Sequence, residues 1–174
     1  MQHILSDYSL FRVLDVFFQN PHKNYQLREI SRIIKLDHKS VLIYLKQLVK
    51  LGLVKEDTST LYKSYVADIN EHFARLKRTF NLMKIYESGL IDLLEEKTLP
   101  KSIVLYGSYA KGTDDINSDI DIFVEASEKS VDVSEFEKML DRKIHLLFEG
   151  KMSNELKNNL ANGIVLAGKL RLFK

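Results

Sequence analysis

Asp119 and Asp121 stand on either side of Ile120 in the stretch SIVLYGSYAKGTDDINSDIDIFVEA, residues 102–126. On a strand, residues two apart face the same side, so the two carboxylates project together, ~7 Å apart at ~3.3 Å per residue. Ile120 and Ile122 then turn the other way, into a core. Two like charges so placed repel and gain nothing from burial, and a divalent cation over them reconciles the pair. Mg²⁺ takes oxygen ligands and is typically held by one or two carboxylates plus substrate phosphates. Separated from Asp119 by ten residues, Gly107-Ser108 ends the β-branched apolar run 103–106. Gly107 lets backbone approach a phosphate with no Cβ in the way. Ser108 adds a hydroxyl, and residues 108–111 open a short helix whose free N–H groups face an anion. A phosphate cradle and a carboxylate pair are equipment for a nucleoside triphosphate (NTP) with Mg²⁺ or Mn²⁺. The bland alternative is a surface turn beside an acidic edge strand.

Several elements must hold these residues in place. Residues 103–106 and 120–124 read as strands. Residues 131–140 read as a helix with Val133, Phe136, Met139 and Leu140 inward, and 143–148 as a third strand. A last helix over 152–160 stops at Asn162-Gly163, and 164–173 is extended, returning to the sheet or its edge. There is no internal repeat.

Gly107-Ser108, ten residues, then Asp119-x-Asp121, with Ser118 before the first aspartate, is similar to the signature of the DNA polymerase beta nucleotidyltransferase superfamily. Within it, the sequence is nearest the small "minimal" nucleotidyltransferases, over residues 102 to about 168. The resemblance implies that Gly107, Ser108, Lys111 and Ser118 meet the nucleotide and that Asp119 and Asp121 are metal ligands. It implies in-line displacement at the α-phosphorus with release of pyrophosphate. It also implies a third carboxylate on a neighbouring strand, and there the sequence departs: His145 occupies that position. Asp141 and Glu149 lie four residues away, ~13 Å along a strand. Imidazole suits zinc or iron better than magnesium. It can also act as a general base, its unperturbed pKa being ~6.5, or sit at the rim of a site that no longer turns over. Small relatives often work with a separate helical protein partner, and no such domain is fused here.

The N-terminal part has another character. Residues 9–20 read as a helix with Leu10, Val13, Leu14 and Phe17 inward, Ser9 as its cap and Asn20-Pro21 as its end. A second helix spans 25–35, with Leu27, Ile30, Ile33 and Ile34 inward. After the turn Leu36-Asp37-His38 a third spans 39–51, closed by Gly52. Strands over 53–55 and 61–66 follow. This order, carried by LREISRIIKLDHKSVLIYLKQLVKLGLV, resembles a winged helix-turn-helix domain over residues 9 to about 68. Such domains put the third helix in the DNA major groove. The resemblance makes His38, Lys39, Ser40, Tyr44, Lys46 and Lys50 the contacting side chains, with Lys55 and Lys63 reaching phosphates from the wing. Leu42 and Ile43, where polar residues are usual, fit thymine methyls or a protein surface instead.

Residues 70–97 form the next long element. Asn70 is placed to cap it, and Phe73, Leu76, Phe80, Met83, Leu90 and Leu94 follow a 3-4 step broken at Glu87. If continuous, the helix is ~40 Å long and pairs with its copy in a homodimer. Gly89 is the place for a kink, and a two-helix connector is the alternative.

Composition bounds the rest. The 174 residues are 45% hydrophobic and 29% charged, as in ordinary globular chains. No apolar run approaches the ~18 residues of a membrane span. The first residues lack the basic start and small-residue cleavage site of a signal peptide. The absence of cysteine excludes disulfides and thiolate zinc, and a cytoplasmic location is expected. Residues 22–63 carry nine Lys/Arg against four acids, and 101–149 carry six against eleven. Opposite charge points to domains with different partners. The expected fold is therefore α+β. A winged helix domain (1–69) and a linker or dimerisation helix (70–98) precede a nucleotidyltransferase-like mixed sheet with flanking helices (99–174). The expected function is metal-dependent transfer of a nucleoside monophosphate to a protein, RNA or small-molecule hydroxyl by a DNA-binding protein. The alternative is a catalytically impaired, nucleotide-sensing transcriptional regulator.

Overall fold

The computed structural model describes residues 8–59, 62–150 and 153–171. Leu61, Met152 and Phe173, each a terminus of an expected element, lie outside the described residues. The chain forms two compact units, Met1–Lys77 and Arg78–Lys174.

In the first unit, α1 (Ser9–Gln19) buries Val13, Leu14, Val16, Phe17 and Phe18. Its N-cap is Tyr8 with no side-chain bond, so Ser9 is not the cap. Tyr25 does not start a helix as expected. Tyr25–Gln26 forms a two-residue strand, β1, and the helix α2 begins at Leu27 and runs to Ile34. The reason is tertiary: Tyr25 is buried edge-on against Phe17, ring centroids 5.7 Å apart, and its backbone pairs with Tyr65. Ile33, expected inward, is 53% exposed. α3 (His38–Lys50) is capped by Asp37, whose carboxylate accepts from the backbone N–H groups of Lys39 and Ser40. A side-chain hydrogen bond from Ser40 foremost, and then these backbone bonds, hold its pKa below the usual range. Gly52, at φ 68, closes the helix in a left-handed conformation, and the Leu53 N–H returns to the Leu48 carbonyl at 3.0 Å. β2 (Val54–Asp57) and β3 (Ser64–Ala67) pair antiparallel, and the sheet order is β1-β3-β2.

The long element breaks where glycine allows it. α4 (Glu71–Ser88) and α5 (Leu90–Thr98) are separate helices on either side of Gly89 at φ 80. Asn70 is the cap of α4, its Oδ1 accepting from Phe73 N–H at 2.9 Å. Much of the expected seam is used inside the chain. Phe73 packs edge-on Phe18 in the first unit, and Leu90 and Leu94 enter the core of the second.

The second unit is a four-stranded sheet of order β6-β5-β4-β7. β4 (Ser102–Tyr106) runs antiparallel to both β5 (Ile120–Val124) and β7 (Ile164–Gly168). β6 (Ile144–Phe148) runs parallel to β5. The sheet is mixed, as expected, and the C-terminal segment does return to its edge. Alternation sorts the two faces. Ile103, Leu105, Ile120, Ile122 and Val124 enter the larger core with Ile85, Leu90 and Leu94. Val104, Tyr106 and Phe123 pack on the other face with Leu160 of α8 (Asn154–Ala161). Between β4 and β5 lies one helical turn, α6 (Gly107–Lys111), and between β5 and β6 lies α7 (Ser134–Leu140). Met139 of α7, expected inward, is 55% exposed, while Leu140 is buried. The short helix begins only at Ser134, so it turns fewer residues inward than a ten-residue helix would.

Gly168 makes a sharp test of the β4–β7 edge. Its φ is +72, and a Cβ there would lie 2.0 Å from the Lys101 carbonyl oxygen. Gly168→Ala is expected to cost about 2–4 kcal/mol through left-handed strain and backbone displacement. A shift in the urea midpoint with unchanged slope checks this, and an unshifted midpoint refutes it.

Candidate functional site

The end of β4 and the starts of β5 and β6 meet at one end of the sheet. Tyr106 is the register partner of Asp121, and Asp121 is that of His145. Register partners present side chains on one face, so Asp121, His145 and the Tyr106–Gly107 corner converge. The Ile120 N–H donates to the Lys143 carbonyl at 2.8 Å, carrying the β5–β6 ladder up to Asp119. Inside the corner, buried Asn81 donates to the Tyr109 carbonyl at 3.0 Å and to the Asp114 carboxylate at 2.8 Å. Those bonds fix α6 and the loop that follows it.

The backbone at Gly107 is pressed on Asp121. A Cβ at Gly107 would fall 2.3 Å from Asp121 Oδ2, and φ there is +76. Only glycine satisfies both conditions. Ser108, half-buried, opens α6. Lys111 is exposed at the end of that turn. Asp119 is exposed, whereas the Asp121 side chain is 28% exposed. Ser118 is turned into its own loop: its Oγ accepts from Asp115 N–H at 3.0 Å and donates to Asp115 Oδ1 at 3.3 Å. It therefore shapes the approach to Asp119.

His145 Nδ1 lies 3.5 Å from Asp121 Oδ1. The electrostatics of the pair follow from burial. Desolvation pushes the Asp121 carboxyl above its ordinary value; the hydrogen bond and charge of His145 oppose this, and the Asp119 carboxylate adds to it. Burial likewise raises the Tyr106 phenol, with the Asp121 charge as the second cause. A cation beside Asp121 would lower this cost. Among the described residues, no three His, Cys, Asp or Glu side chains gather closely enough to hold a metal by themselves. Asp119 and Asp121 fit a cation that takes its other ligands from phosphate oxygens and water, the habit of Mg²⁺.

The DNA-directed expectations fall in the first unit. Lys39, Lys46 and Lys50 are exposed on α3, with Ile43, 56% exposed, on the same stripe. His38 is exposed, and Ser40 and Tyr44 are half-buried. The expected wing cations are already paired, Lys55 with Asp68 at 2.7 Å and Lys63 with Glu56 at 2.6 Å.

Sequence reasoning missed one feature. An open cleft of about 630 Å³ adjoins Asp119, walled by α7 and the turn before β6. Its residues come from three separated stretches, and no local spacing links them.

The second unit is thus an α+β domain whose mixed sheet gathers a glycine corner and two aspartates at one end. Residues 87–166, which include every residue of that site, match the family model described as a nucleotidyltransferase domain. The chain matches no curated protein and no solved structure in the parallel comparisons. No helix of the described residues is long and apolar enough to cross a membrane.

Proposed function

We propose that the second unit transfers a nucleoside monophosphate from an NTP to a hydroxyl acceptor. The observation that carries this reading is the close approach of the Gly107 backbone to the Asp121 carboxylate, which brings the glycine–serine corner and the acidic strand end to one point. In this reading Gly107 and Ser108 take phosphate oxygens, Lys111 steadies the outer phosphates, and Ser118 holds the loop that delivers Asp119. Asp119 and Asp121 hold Mg²⁺ or Mn²⁺, which when bound neutralises charge developing on the triphosphate. His145, against Asp121, takes the place of a third carboxylate and receives the proton of the attacking hydroxyl. The full chain incubated with α-labelled NTPs and either cation should release pyrophosphate and label an acceptor. Release that persists in the Asp119→Ala, Asp121→Ala double variant would sink this reading.

The first unit supports a second role, compatible with the first. The α2–α3 pair with its tight turn and the β2–β3 hairpin are similar to a winged helix, and Lys39, Lys46 and Lys50 make a basic stripe on α3. We infer DNA binding through that stripe, with Ile43 reading methyl groups and Lys55 and Lys63, already ion-paired, adding little. Each phosphate contact contributes about 0.9 to the slope of log affinity against log salt. Lys46→Ala with Lys50→Ala should therefore reduce the slope by about 2. Unchanged salt dependence would favour a protein surface instead. If nucleotide binds without pyrophosphate release, and alters DNA affinity, the chain is a nucleotide-sensing regulator. Sedimentation of the full chain with and without DNA decides whether it acts as a homodimer.

A further inference from the structure

The cleft beside Asp119 shares that residue and Ser118 with the candidate site but is lined by none of Gly107, Ser108, Asp121 or His145. Asn117, Asp119, Ser134, Lys138, Asp141 and Arg142 are among its walls. Arg142 is the unusual member. It is only 6% exposed. Its guanidinium donates to the Asp141 carbonyl at 2.8 Å, while its Nε is buried with no partner. A guanidinium has five donors in a fixed fork, and a buried donor left unmet calls for an explanation. The neighbouring carboxylate does not supply one. Glu137 is committed to the Ile144 N–H at 3.0 Å and to Lys143 at 3.1 Å. Arg142 is thus a largely buried cation of the cleft lining that has one protein acceptor, the Asp141 carbonyl, and an Nε with none.

The lining also says what kind of molecule fits. No aromatic ring is present to stack a nucleobase. Three cationic side chains, Lys138, Arg142 and Lys143, face three anionic ones, Asp119, Glu137 and Asp141. The surrounding stretch 101–149 is acidic, which disfavours a polyanion such as RNA. An open, polar, charge-balanced groove with an unmet carbonyl-type site suits an extended polypeptide.

We propose that this cleft is the acceptor subsite and that the acceptor is a protein segment. A main-chain carbonyl or carboxylate of the segment lies on Arg142, and its Ser, Thr or Tyr hydroxyl is delivered at Asp119. The inference rests on the nucleotidyl-transfer reading above. In the step, the hydroxyl oxygen forms a bond to the α-phosphorus. The bond from that phosphorus to the bridging oxygen breaks, pyrophosphate leaves with the electron pair, and the hydroxyl proton passes to the His145 imidazole.

The test uses the full chain, α-labelled NTPs, and two probes: a mixed Ser/Thr/Tyr peptide library and random 12-nucleotide RNA. Label is expected on peptide. Arg142→Gln should raise the half-saturating peptide concentration at least tenfold and change that of NTP less than twofold. Lys138→Glu, on the exposed wall, should shift preference from acidic toward basic peptides, and it decides the matter if Arg142→Gln does not fold. Label on RNA alone, equal effects of Arg142→Gln on peptide and NTP, or unchanged peptide preference in Lys138→Glu would each overturn the proposal. NTP binding with no labelled peptide overturns the acceptor cleft and leaves the nucleotide site standing, whereas loss of NTP binding in the wild-type chain overturns both.

Discussion

Asp121→Asn should reduce nucleotidyl transfer about a thousandfold and, without metal at neutral pH, should raise the thermal midpoint. The two halves share one cause. Asp121 is half-buried, and its carboxyl is held above the ordinary value, first by desolvation and also by Asp119, against the pull of His145. An acid whose folded pKa exceeds its unfolded pKa binds more protons in the folded state within the window between them. Stability therefore falls as pH rises from the unfolded value of about 3.9 through the raised folded value, and stays lower above it. Asparagine carries no such charge, so the variant gains stability over wild type near pH 7. That gap should close as pH falls through the window. Midpoints from pH 4 to 8 in a chelator measure it as a difference, which cancels the opposite trend from Asp37, Asp57 and Glu137, whose carboxyls are held low. Retained transfer would refute the metal-ligand role of Asp121. A gap independent of pH would show that charge burial is not what the wild type bears.

Gly107→Ala should lower kcat/KM for NTP about a hundredfold while leaving the far-ultraviolet circular dichroism intact. Two costs combine there. At φ +76 any residue with a Cβ is strained, by about 1–3 kcal/mol. The added Cβ would also lie 2.3 Å from Asp121 Oδ2 and 3.2 Å from its Cγ, so the carboxylate must move out of its position beside the corner. A shift of that size in a positioning group is worth about two decades of rate. Gly52→Ala provides the control. Gly52 has nearly the same φ, +68, but open space where the Cβ would go, so that variant carries the strain alone. If the two variants lose stability equally and neither loses NTP turnover, the corner is a turn and nothing more.

The local grammar of the chain was legible without coordinates. Alternation around Ile120 and Ile122 predicts that both isoleucines face a core, and both are fully buried. The resemblance to the nucleotidyltransferase pattern implies a neighbouring-strand position for His145, and the β5–β6 register puts it beside Asp121. The caps at Asn70 and Gly52 were equally readable, because a cap is decided by the few residues around it. Tyr25 was not readable: its helical surroundings suggest a helix, but Phe17 and Tyr65, distant in sequence, make it a strand. At Gly89 sequence left a kinked long helix and a two-helix connector both open, and the fold has two helices, α4 and α5. The 2.3 Å approach at Gly107, the raised pKa of Asp121 and the Arg142 cleft were also beyond the sequence. Sequence by itself determined which residues are candidates for the chemistry and, in the strands around Asp119 and Asp121, which face each occupies, since backbone periodicity is a local property. Only the tertiary structure decided which of those faces meet, how deeply a charge is buried and where a donor is left unmet, because these depend on segments brought together across long chain separations.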